Sequence, residues 1–343
     1  MMALQATNNR VFIIAEAGVN HNGSIEIAKK LVDAAVVAGA DAVKFQTFKT
    51  KELVTETAEQ AAYQMVNTGV KESQFAMLKR LELTEQDHCL LFDYCRQQGI
   101  EFMSTAFDMP SIALLHRLGM KRWKIPSGEL LSIPYLREIA AFNQPTILST
   151  GMGNLDEVRL AVDTLLKAGL VVDNLIVLHA NTAYPTPYED VNLRAMQTLS
   201  DELSLAVGLS DHSLGIEVPI AAVALGAQVI EKHFTLDKTL PGPDHKASLE
   251  PAELKAMVAA IRHIEVALGC ADKKPSNSEK DNIAVARKRI VAKTLIRQGD
   301  IFSPSNLTLK RSDKGLEAKF WDALIGKQAN ATFQAGEGIE IGT

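Results

Sequence analysis

Side chains that could do chemistry follow one short apolar run after another in the first part of the chain. Lysine, carboxylate, amide, hydroxyl and imidazole groups recur at the carboxyl ends of these runs, at Glu16, Lys44, Gln46, Thr105, Lys124, Glu129, Ser149, His212 and His233. Cations and hydroxyls bind anions, carboxylates transfer protons, and imidazoles bind divalent metals. If one fold gathers these ends, they form the active site of an enzyme.

Two of these residues, Lys44 and Lys124, are lysines within apolar runs. In DAVKFQTF (41–48) a period of two puts Lys44 and Gln46 on the same face. Burying a lysine costs free energy unless an anion meets it, so the pair predicts a site for a phosphate-bearing anion. Three hydroxyls would assist at that site: Thr105, Ser127 and Ser149. The alternative is a structural ion pair with Glu16 or Glu129.

The two carboxylates follow the first and fourth runs. At such a position Glu16 or Glu129 is a candidate general acid or base. Either could instead be the counter-ion of Lys44 or Lys124, and the spacing leaves both interpretations open.

A pair of histidines ends the seventh and eighth runs, as His212 in GLSDHS and His233 in EKHFT. Two imidazoles on adjacent strand ends predict a divalent metal site that keeps open positions for water or substrate. Asp211 or Glu231 could supply a carboxylate to the metal or to a histidine. The alternative is a pair of ordinary buried or surface histidines.

These side chains require eight strands that alternate with helices. The apolar runs have strand length and composition, and segments such as 24–39 and 155–169 between them have helical periodicity. This order predicts an α/β fold, a (β/α)₈ TIM barrel, in which the carboxyl ends of all strands meet at one mouth. The eight runs span residues 11–23, 41–48, 101–107, 122–129, 145–152, 175–185, 205–212 and 229–235.

The chain of 343 residues exceeds the ~250 that such a barrel needs. We predict a barrel over residues 1–269, a polar linker over 270–283 and a small, mostly β domain over 284–343. An insertion at 49–83, with helical-looking segments at 58–66 and 73–83, is longer than a usual strand-to-helix connection and predicts a lid or mouth-lining element.

Composition excludes several classes of protein. Net charge is −5, and 47% of residues are hydrophobic against 22% charged, which disfavours a nucleic-acid or membrane-surface role. The sequence has no membrane-length apolar run, its amino terminus has no apolar signal core, and its three cysteines do not form a disulfide framework. We therefore expect a cytoplasmic protein with reduced cysteines.

Nine motifs in order resemble the N-acetylneuraminate (sialic acid) synthase family. They are IAEAGVNHNG, VKFQTF, FMSTAFD, WKIPSGE, ILSTGM, NTAYPTPYEDVNL, GLSDHS, IEKHFTLD and GPDHKAS, between about residues 11 and 250. In the tail, GDIFSPSNLTLKR resembles the antifreeze-like (SAF) domain that closes these synthases. The resemblance implies that the chain condenses phosphoenolpyruvate with an N-acetylated mannosamine-type sugar and releases phosphate. It also implies a divalent metal, typically Mn²⁺ with Mg²⁺ or Co²⁺ as alternatives, and a domain-swapped homodimer.

The resemblance also assigns roles to individual residues of this sequence. The phosphoenolpyruvate site would comprise Lys44, Thr105, Lys124, Ser127, Ser149 and Ser210. The metal ligands would be His212 and His233, and the catalytic carboxylates Glu16 and Glu129. The sugar would meet Gln46, Asn181 or Thr182, Tyr184, Asp244 and Arg311.

The sequence departs from the family pattern at two places and leaves the sugar open. Asn181-Thr182 reverses the Thr-Asn order of some members, and Ser312 follows Arg311 where a proline is usual. The expected product is N-acetylneuraminate, with legionaminate or pseudaminate, made from a diacetamido-trideoxy hexose, as alternatives. A metal-dependent aldolase and an ice- or carbohydrate-binding protein are further alternatives, but the tail lacks the regularly spaced threonines of an ice-binding face.

The first testable prediction concerns Arg311. Residues 270–283 could span roughly 20 Å as a flexible coil, so the tail could reach the barrel mouth of a second subunit. We expect Arg311 to bind the sugar's acyl-amino group in trans. Mixed Glu129→Gln and Arg311→Ala subunits should then regain activity on exchange, because both lesions fall on one site and the other is intact. Demonstrated exchange without activity would contradict the prediction.

Overall fold

A computed structural model describes residues 10–60, 64–65 and 70–340. The chain divides into two compact units, Met1–Gly269 and Cys270–Thr343. The division falls at the boundary between the predicted barrel and the polar segment that follows it.

The first unit contains eight parallel strands in one sheet, in the order β3-β2-β1-β8-β7-β6-β5-β4. Strands β3 and β4, at the two ends of this order, also lie against each other, so the sheet curves into a barrel. The predicted (β/α)₈ architecture is confirmed. The strands are β1 (Phe12–Gly18), β2 (Ala42–Thr47), β3 (Glu101–Ala106), β4 (Trp123–Ile125), β5 (Thr146–Ser149), β6 (Leu175–Ala180), β7 (Ala206–Asp211) and β8 (Val229–His233).

Helices separate the strands and pack their apolar faces on the outside of the sheet. Helix Ile25–Ala38 begins after Ser24, whose hydroxyl accepts from the Ile27 amide, and ends at Gly39 in the left-handed conformation. Further α-helices in the described part of this unit are Thr50–Leu53, Gln74–Leu81, Glu85–Gln98, Met109–Leu118, Ile133–Ala141, Leu155–Lys167, Tyr188–Val191, Ala195–Leu203, Glu217–Ala224 and Pro251–Ala267. Short 3₁₀ turns cover Ser127–Glu129, Val172–Asn174 and His245–Ala247.

The inward faces of the strands change from apolar to polar along the barrel. An apolar cluster fills the lower interior and comprises Ile14, Ala42, Met103, Ile147, Ile176, Leu178 and Val229. Two residues further along β1, β2 and β8 the same faces carry Glu16, Lys44 and Glu231. This apolar cluster, the floor of the barrel, therefore lies beneath the charged side chains of the mouth.

The insertion at 49–83 packs against the mouth. Helix Gln74–Leu81 places Met77 and Leu81 in a cluster with Val19 and Phe48, which follow β1 and β2. Of the predicted helical segment at 58–66, residues 61–63 and 66 lie outside the described residues, 64–65 are helical, and 58–60 are not, with Glu59 in a β-bridge to Ser73.

The second unit contains a small antiparallel sheet of β9 (Lys288–Ala292) and β10 (Leu307–Arg311). Its core includes Ile290, Phe302 and Phe333, and it carries a short helix, Trp321–Leu324, after a 3₁₀ turn, Ala318–Phe320.

The predicted linker is not an uninterrupted coil. A 3₁₀ turn at Asn277–Glu279 leads into helix Lys280–Ala286, which crosses the predicted boundary at residue 283. The physical reason is a capping box in which Ser276 and Glu279 satisfy each other's backbone amides. Because the segment is mostly polar, the sequence interpretation treated it as a linker and missed this capping box.

Gly208 in β7 gives a testable prediction about the barrel wall. A Cβ atom at this position would lie 2.3 Å from the Val229 carbonyl oxygen and 2.7 Å from Leu178 Cδ2. We expect Gly208→Ala to lower the free energy of unfolding by about 1–3 kcal/mol, because the packed interior cannot take up the methyl group. Urea denaturation would measure the change. Gly128→Ala is the matched control, since a Cβ there meets nothing within 4 Å; equal losses would contradict the prediction.

Candidate active site

The barrel mouth is built around a buried ion pair between β1 and β2. Glu16 and Lys44 are register partners, and Lys44 Nζ lies 2.8 Å from Glu16 Oε2. The same ammonium donates to Thr105 Oγ1 of β3 at 2.9 Å. The counter-ion that the sequence left as an alternative for Lys44 is therefore present in this structure, and it is Glu16.

A second carboxylate, Glu231 of β8, lies between the two lysines. Its Oε1 is 3.4 Å from Lys124 Nζ, and its Oε2 is 3.5 Å from Lys44 Nζ. Ser210 of β7 donates to Glu231 Oε1 at 2.7 Å. The result is an alternating chain of charges, Glu16–Lys44–Glu231–Lys124, with all four side chains almost completely buried.

Burial and mutual attraction compete in setting the pKa values of this chain. Burial, together with repulsion from Glu231, raises the pKa of Glu16 to about 7 despite the attraction of Lys44. For Glu231 the effect of burial is outweighed by Lys124 and Lys44, and its pKa falls to about 2. Burial lowers the pKa of Lys124, whereas Glu16 and Glu231 outweigh burial and raise the pKa of Lys44. Glu231 is therefore the more firmly ionised of the two carboxylates.

Two further predicted hydroxyls follow β4, the strand of Lys124, and end its neighbour β5. Ser149 Oγ, at the end of β5, is buried and has no hydrogen-bond partner within the described part of the chain. Ser127 opens the 3₁₀ turn after β4, and its Oγ accepts from the Gly151 amide at 2.9 Å. Buried cations beside an unsatisfied hydroxyl form a cradle suited to an anion with several oxygens.

The two histidines lie side by side at the ends of β7 and β8. The ring centroids of His212 and His233 are 5.3 Å apart, and Tyr184 stacks on His212 at 4.1 Å. Burial lowers the pKa of His212 to about 4 and that of His233 well below its usual value, so both rings are neutral at pH 7.

The Asn181 residue fixes the tautomer of His212. His212 Nδ1 contacts the Asn181 carbonyl oxygen, which can only accept, so Nδ1 carries the proton and Nε2 keeps its lone pair. The Asn181 amide group is engaged within its own loop, accepting from the Ala183 amide at 2.8 Å and donating to the Asp190 carbonyl at 3.2 Å. Thr182 lies close to Gly151 and thus to the Ser127 side of the mouth.

A metal would have to be held mainly by this histidine pair. Two neutral imidazoles fit such a role, and His233 Nδ1 is buried with no hydrogen-bond partner among the described residues. Over residues 10–60, 64–65 and 70–340, no group of three or more histidine, cysteine, aspartate or glutamate side chains forms a metal cage. Water and substrate would supply the remaining ligands.

Gly18 lies between the chain of buried charges and the histidine pair. It has φ +53, and a Cβ there would lie 3.3 Å from both Glu16 Oε1 and His233 Cε1, and 3.5 Å from Gln46 Nε2. The predicted residues Glu16, Gln46 and His233 therefore surround one point. This position favours glycine, because φ is positive and a Cβ atom would crowd the side chains of Glu16 and His233.

Three predicted residues lie apart from these contacts. Asp244 is buried in the loop after β8, where burial raises its pKa to about 6. Glu129 is half-buried at the end of the 3₁₀ turn after β4. Arg311 is exposed at the end of β10 in the second unit, opposite Lys288 on β9.

The sequence interpretation missed two buried polar residues that join elements of the barrel, Asn20 and His88. Asn20 Nδ2 donates to Ser248 Oγ at 2.9 Å and to the Phe234 carbonyl at 2.8 Å, which ties the loop after β1 to the loop after β8. His88, on helix Glu85–Gln98, is buried and contacts Thr47 Oγ1 through Nε2 at 2.8 Å. The position of His88 on its helix could not reveal this contact, because Thr47 belongs to β2.

No helix in the described part of the chain is long and apolar enough to cross a membrane.

Comparisons with known proteins agree with this arrangement. The model of the NeuB family matches residues 31–273, and the model of the SAF domain matches residues 287–340. An N,N'-diacetyllegionaminic acid synthase from Campylobacter jejuni is 50% identical over 328 residues, covering 96% of this chain and 98% of the relative. One from Legionella pneumophila is 50% identical over 327 residues, covering 95% and 92%.

Among solved structures, a sialic acid synthetase from Leptospira borgpetersenii in complex with citrate is similar to this chain. It shares 36% identity with a TM-score of 0.70, and the match covers 80% of this chain and 91% of that one.

The charge chain yields a prediction about Glu231. Glu231→Gln keeps the shape and the acceptor for Ser210 but removes the negative charge between the two lysines. Inorganic phosphate should bind about tenfold more tightly, since an incoming anion no longer competes with a buried carboxylate. Isothermal titration at fixed ionic strength measures this, with the exposed Glu26→Gln as the control for net charge. Unchanged or weaker binding would show that Glu231 chiefly orients the lysines.

Proposed function

Because the chain belongs to the NeuB family, we propose that it condenses phosphoenolpyruvate with an acylated amino sugar and releases phosphate. The observation that carries the proposal is the pair of buried lysines, Lys44 and Lys124, at the mouth of the barrel. Both lysines have carboxylate partners, but the buried hydroxyl of Ser149, on the strand next to that of Lys124, has no hydrogen-bond partner in the described part of the chain. A ligand with both a phosphate and a carboxylate uses both cations and the hydroxyls.

The proposed phosphoenolpyruvate site comprises Lys44, Thr105, Lys124, Ser127, Ser149 and Ser210. Lys44 and Thr105 already contact each other, and Ser210 reaches Lys124 through Glu231. The anion replaces part of the interaction that Glu16 and Glu231 make with the lysines. Its charge is thus bound by groups that are already oriented and need little rearrangement.

The reaction forms one carbon–carbon bond and breaks one carbon–oxygen bond. C3 of phosphoenolpyruvate attacks the aldehyde carbon of the open-chain sugar, whose oxygen takes up a proton and becomes a hydroxyl. Water adds to the resulting cationic C2 and loses a proton. The tetrahedral intermediate then expels phosphate by cleavage of the C2–O bond and leaves a keto acid. Glu16, beside Lys44, and Glu129, after β4, are the proposed carboxylates for stabilising the cation and moving these protons.

We further propose His212 and His233 as ligands of a divalent metal, with Mn²⁺ ahead of Mg²⁺ and Co²⁺. Their neutral rings and the orientation of His212 by the Asn181 carbonyl support this assignment. When bound, the metal supplies Lewis-acid polarisation of a carbonyl oxygen. Tyr184, stacked on His212, and Gln46, next to His233 at Gly18, are then positioned for the sugar.

For the sugar itself, we propose a diacetamido-trideoxy hexose, which would make the product N,N'-diacetyllegionaminic acid. The expectation from sequence put N-acetylneuraminate first and legionaminate second. Two diacetyllegionaminic acid synthases at 50% identity over nearly the whole chain reverse that order. The sialic acid synthetase structure, at 36% identity, supports N-acetylmannosamine as the second candidate. Asp244 and Arg311 remain proposed contacts to the sugar, within a homodimer. Of Asn181 and Thr182, we propose Thr182, because the Asn181 amide group is engaged within its own loop.

Product analysis tests this proposal. Purified protein with Mn²⁺ and phosphoenolpyruvate would be incubated with N-acetylmannosamine or with each diacetamido-trideoxy hexose, while phosphate release and product mass are followed. We expect kcat/KM for the legionaminate precursor to exceed that for N-acetylmannosamine by at least about tenfold. Lys124→Met is the inactive control. A preference for N-acetylmannosamine would return the sialic acid assignment, and a product formed without phosphate release would indicate an aldolase.

A further inference from the structure

A fully buried lysine lies directly behind the histidine pair. Lys232 precedes His233 in β8 and, by the alternation of the strand, points away from the barrel interior while Glu231 and His233 point inward. Nothing in the proposed chemistry uses it. Its side chain is completely shielded from solvent, although an isolated ammonium is among the most costly groups to bury.

The Lys232 ammonium is held by the segment that carries the other histidine. Lys232 Nζ lies 2.5 Å from Asp211 Oδ2 and donates to the Ser213 carbonyl. Asp211 Oδ1 in turn accepts from the Ser213 amide at 2.9 Å and from Ser213 Oγ at 2.8 Å. Asp211 and Lys232 are also register partners in the β7–β8 ladder.

These contacts bracket His212 on both sides. The residue before it and the residue after it both bind Lys232, and Lys232 is itself the neighbour of His233. The His212 carbonyl accepts from the Thr186 amide at 2.9 Å, which holds the same segment from the loop after β6. Any movement of β7 against β8 at this level would change the spacing of the two rings.

Stability alone does not account for such a pair. Replacing a buried ion pair by apolar side chains of similar volume is often neutral or stabilising, because the desolvation cost disappears. The ion pair does supply direction, because the ammonium must meet one carboxylate and one carbonyl oxygen at fixed points. Apolar packing would fill the same volume without fixing the strand ends.

We propose that Lys232, with Asp211, is a positioning residue that fixes the distance and orientation of His212 and His233 for a divalent metal. The inference rests on the proposed metal site and adds residues that hold its ligands without contacting the metal. The contacts of Lys232 hold the segments that carry His212 and His233, so both imidazoles are in position before a metal binds.

Metal affinity, measured apart from turnover, tests this role. The double variant Asp211→Leu/Lys232→Met removes both charges together, so that no unpaired ion is left buried. We expect it to stay folded with a lower melting temperature, because buried Ser213 groups lose their partners. It should keep wild-type phosphate affinity and bind Mn²⁺ 10–100-fold more weakly by isothermal titration. Asp211→Asn is the second variant; it keeps the shape of the side chain and should also lower the affinity for Mn²⁺. The visible spectrum of bound Co²⁺ should change in both.

The matched control is Asp41→Leu/Arg262→Met. This pair, 2.7 Å apart, lies at the amino-terminal end of the barrel, where Asp41 also accepts from the Ile13 amide. It should leave Mn²⁺ affinity unchanged. His212→Ala is the reference that should abolish tight binding.

The outcomes separate the two proposals. Full Mn²⁺ affinity and an unchanged Co²⁺ spectrum in folded Asp211 and Lys232 variants would overturn the positioning role while leaving the metal site intact. Equal weakening in the Asp41/Arg262 control would also overturn it, since any lost ion pair would then do the same. Wild-type affinity in His212→Ala would overturn the metal site, and the positioning role with it.

Discussion

The chain of buried charges at the barrel mouth is the constraint on which the rest of this structure depends. Two lysines and two carboxylates are almost completely buried there, and none of them could be buried alone at an acceptable cost. Because Glu16, Lys44, Glu231 and Lys124 come from different strands, each strand must keep its register for the charges to remain paired. The apolar floor beneath them supplies the rigidity that holds this register.

The mouth separates into two chemically distinct regions that share β8. Glu231 faces the lysines, whereas His233, two residues later, faces His212 and Tyr184. Side chains of one strand thus contribute to both regions. Gly18 lies where the regions meet, with Glu16, Gln46 and His233 around it. The Lys232–Asp211 pair lies on the outer side of β7 and β8 and joins the two segments that carry His212 and His233.

The charged groups of the mouth and the residues proposed for the sugar lie in different parts of the fold. The charged groups lie on strand ends, where backbone hydrogen bonds fix them. The residues proposed for the sugar, such as Thr182, Tyr184 and Asp244, lie in the loops after β6 and β8, which can change without disturbing the charge chain. A family with one condensation chemistry and several sugar acids is the expected result of that separation.

The sequence by itself determined the eight strand–helix repeats, the small second domain and most residues of the mouth. Strand alternation put Lys44 and Gln46 on one face, and adjacent strand ends put His212 beside His233. Only the tertiary structure decided the partners: Glu16 rather than Glu129 for Lys44, Glu231 between the lysines, His88 inside the protein, and Lys232 bound to Asp211. Periodicity encodes which way a side chain points within its own element. The group that meets it belongs to another element, and only the packed strands and helices bring the two together.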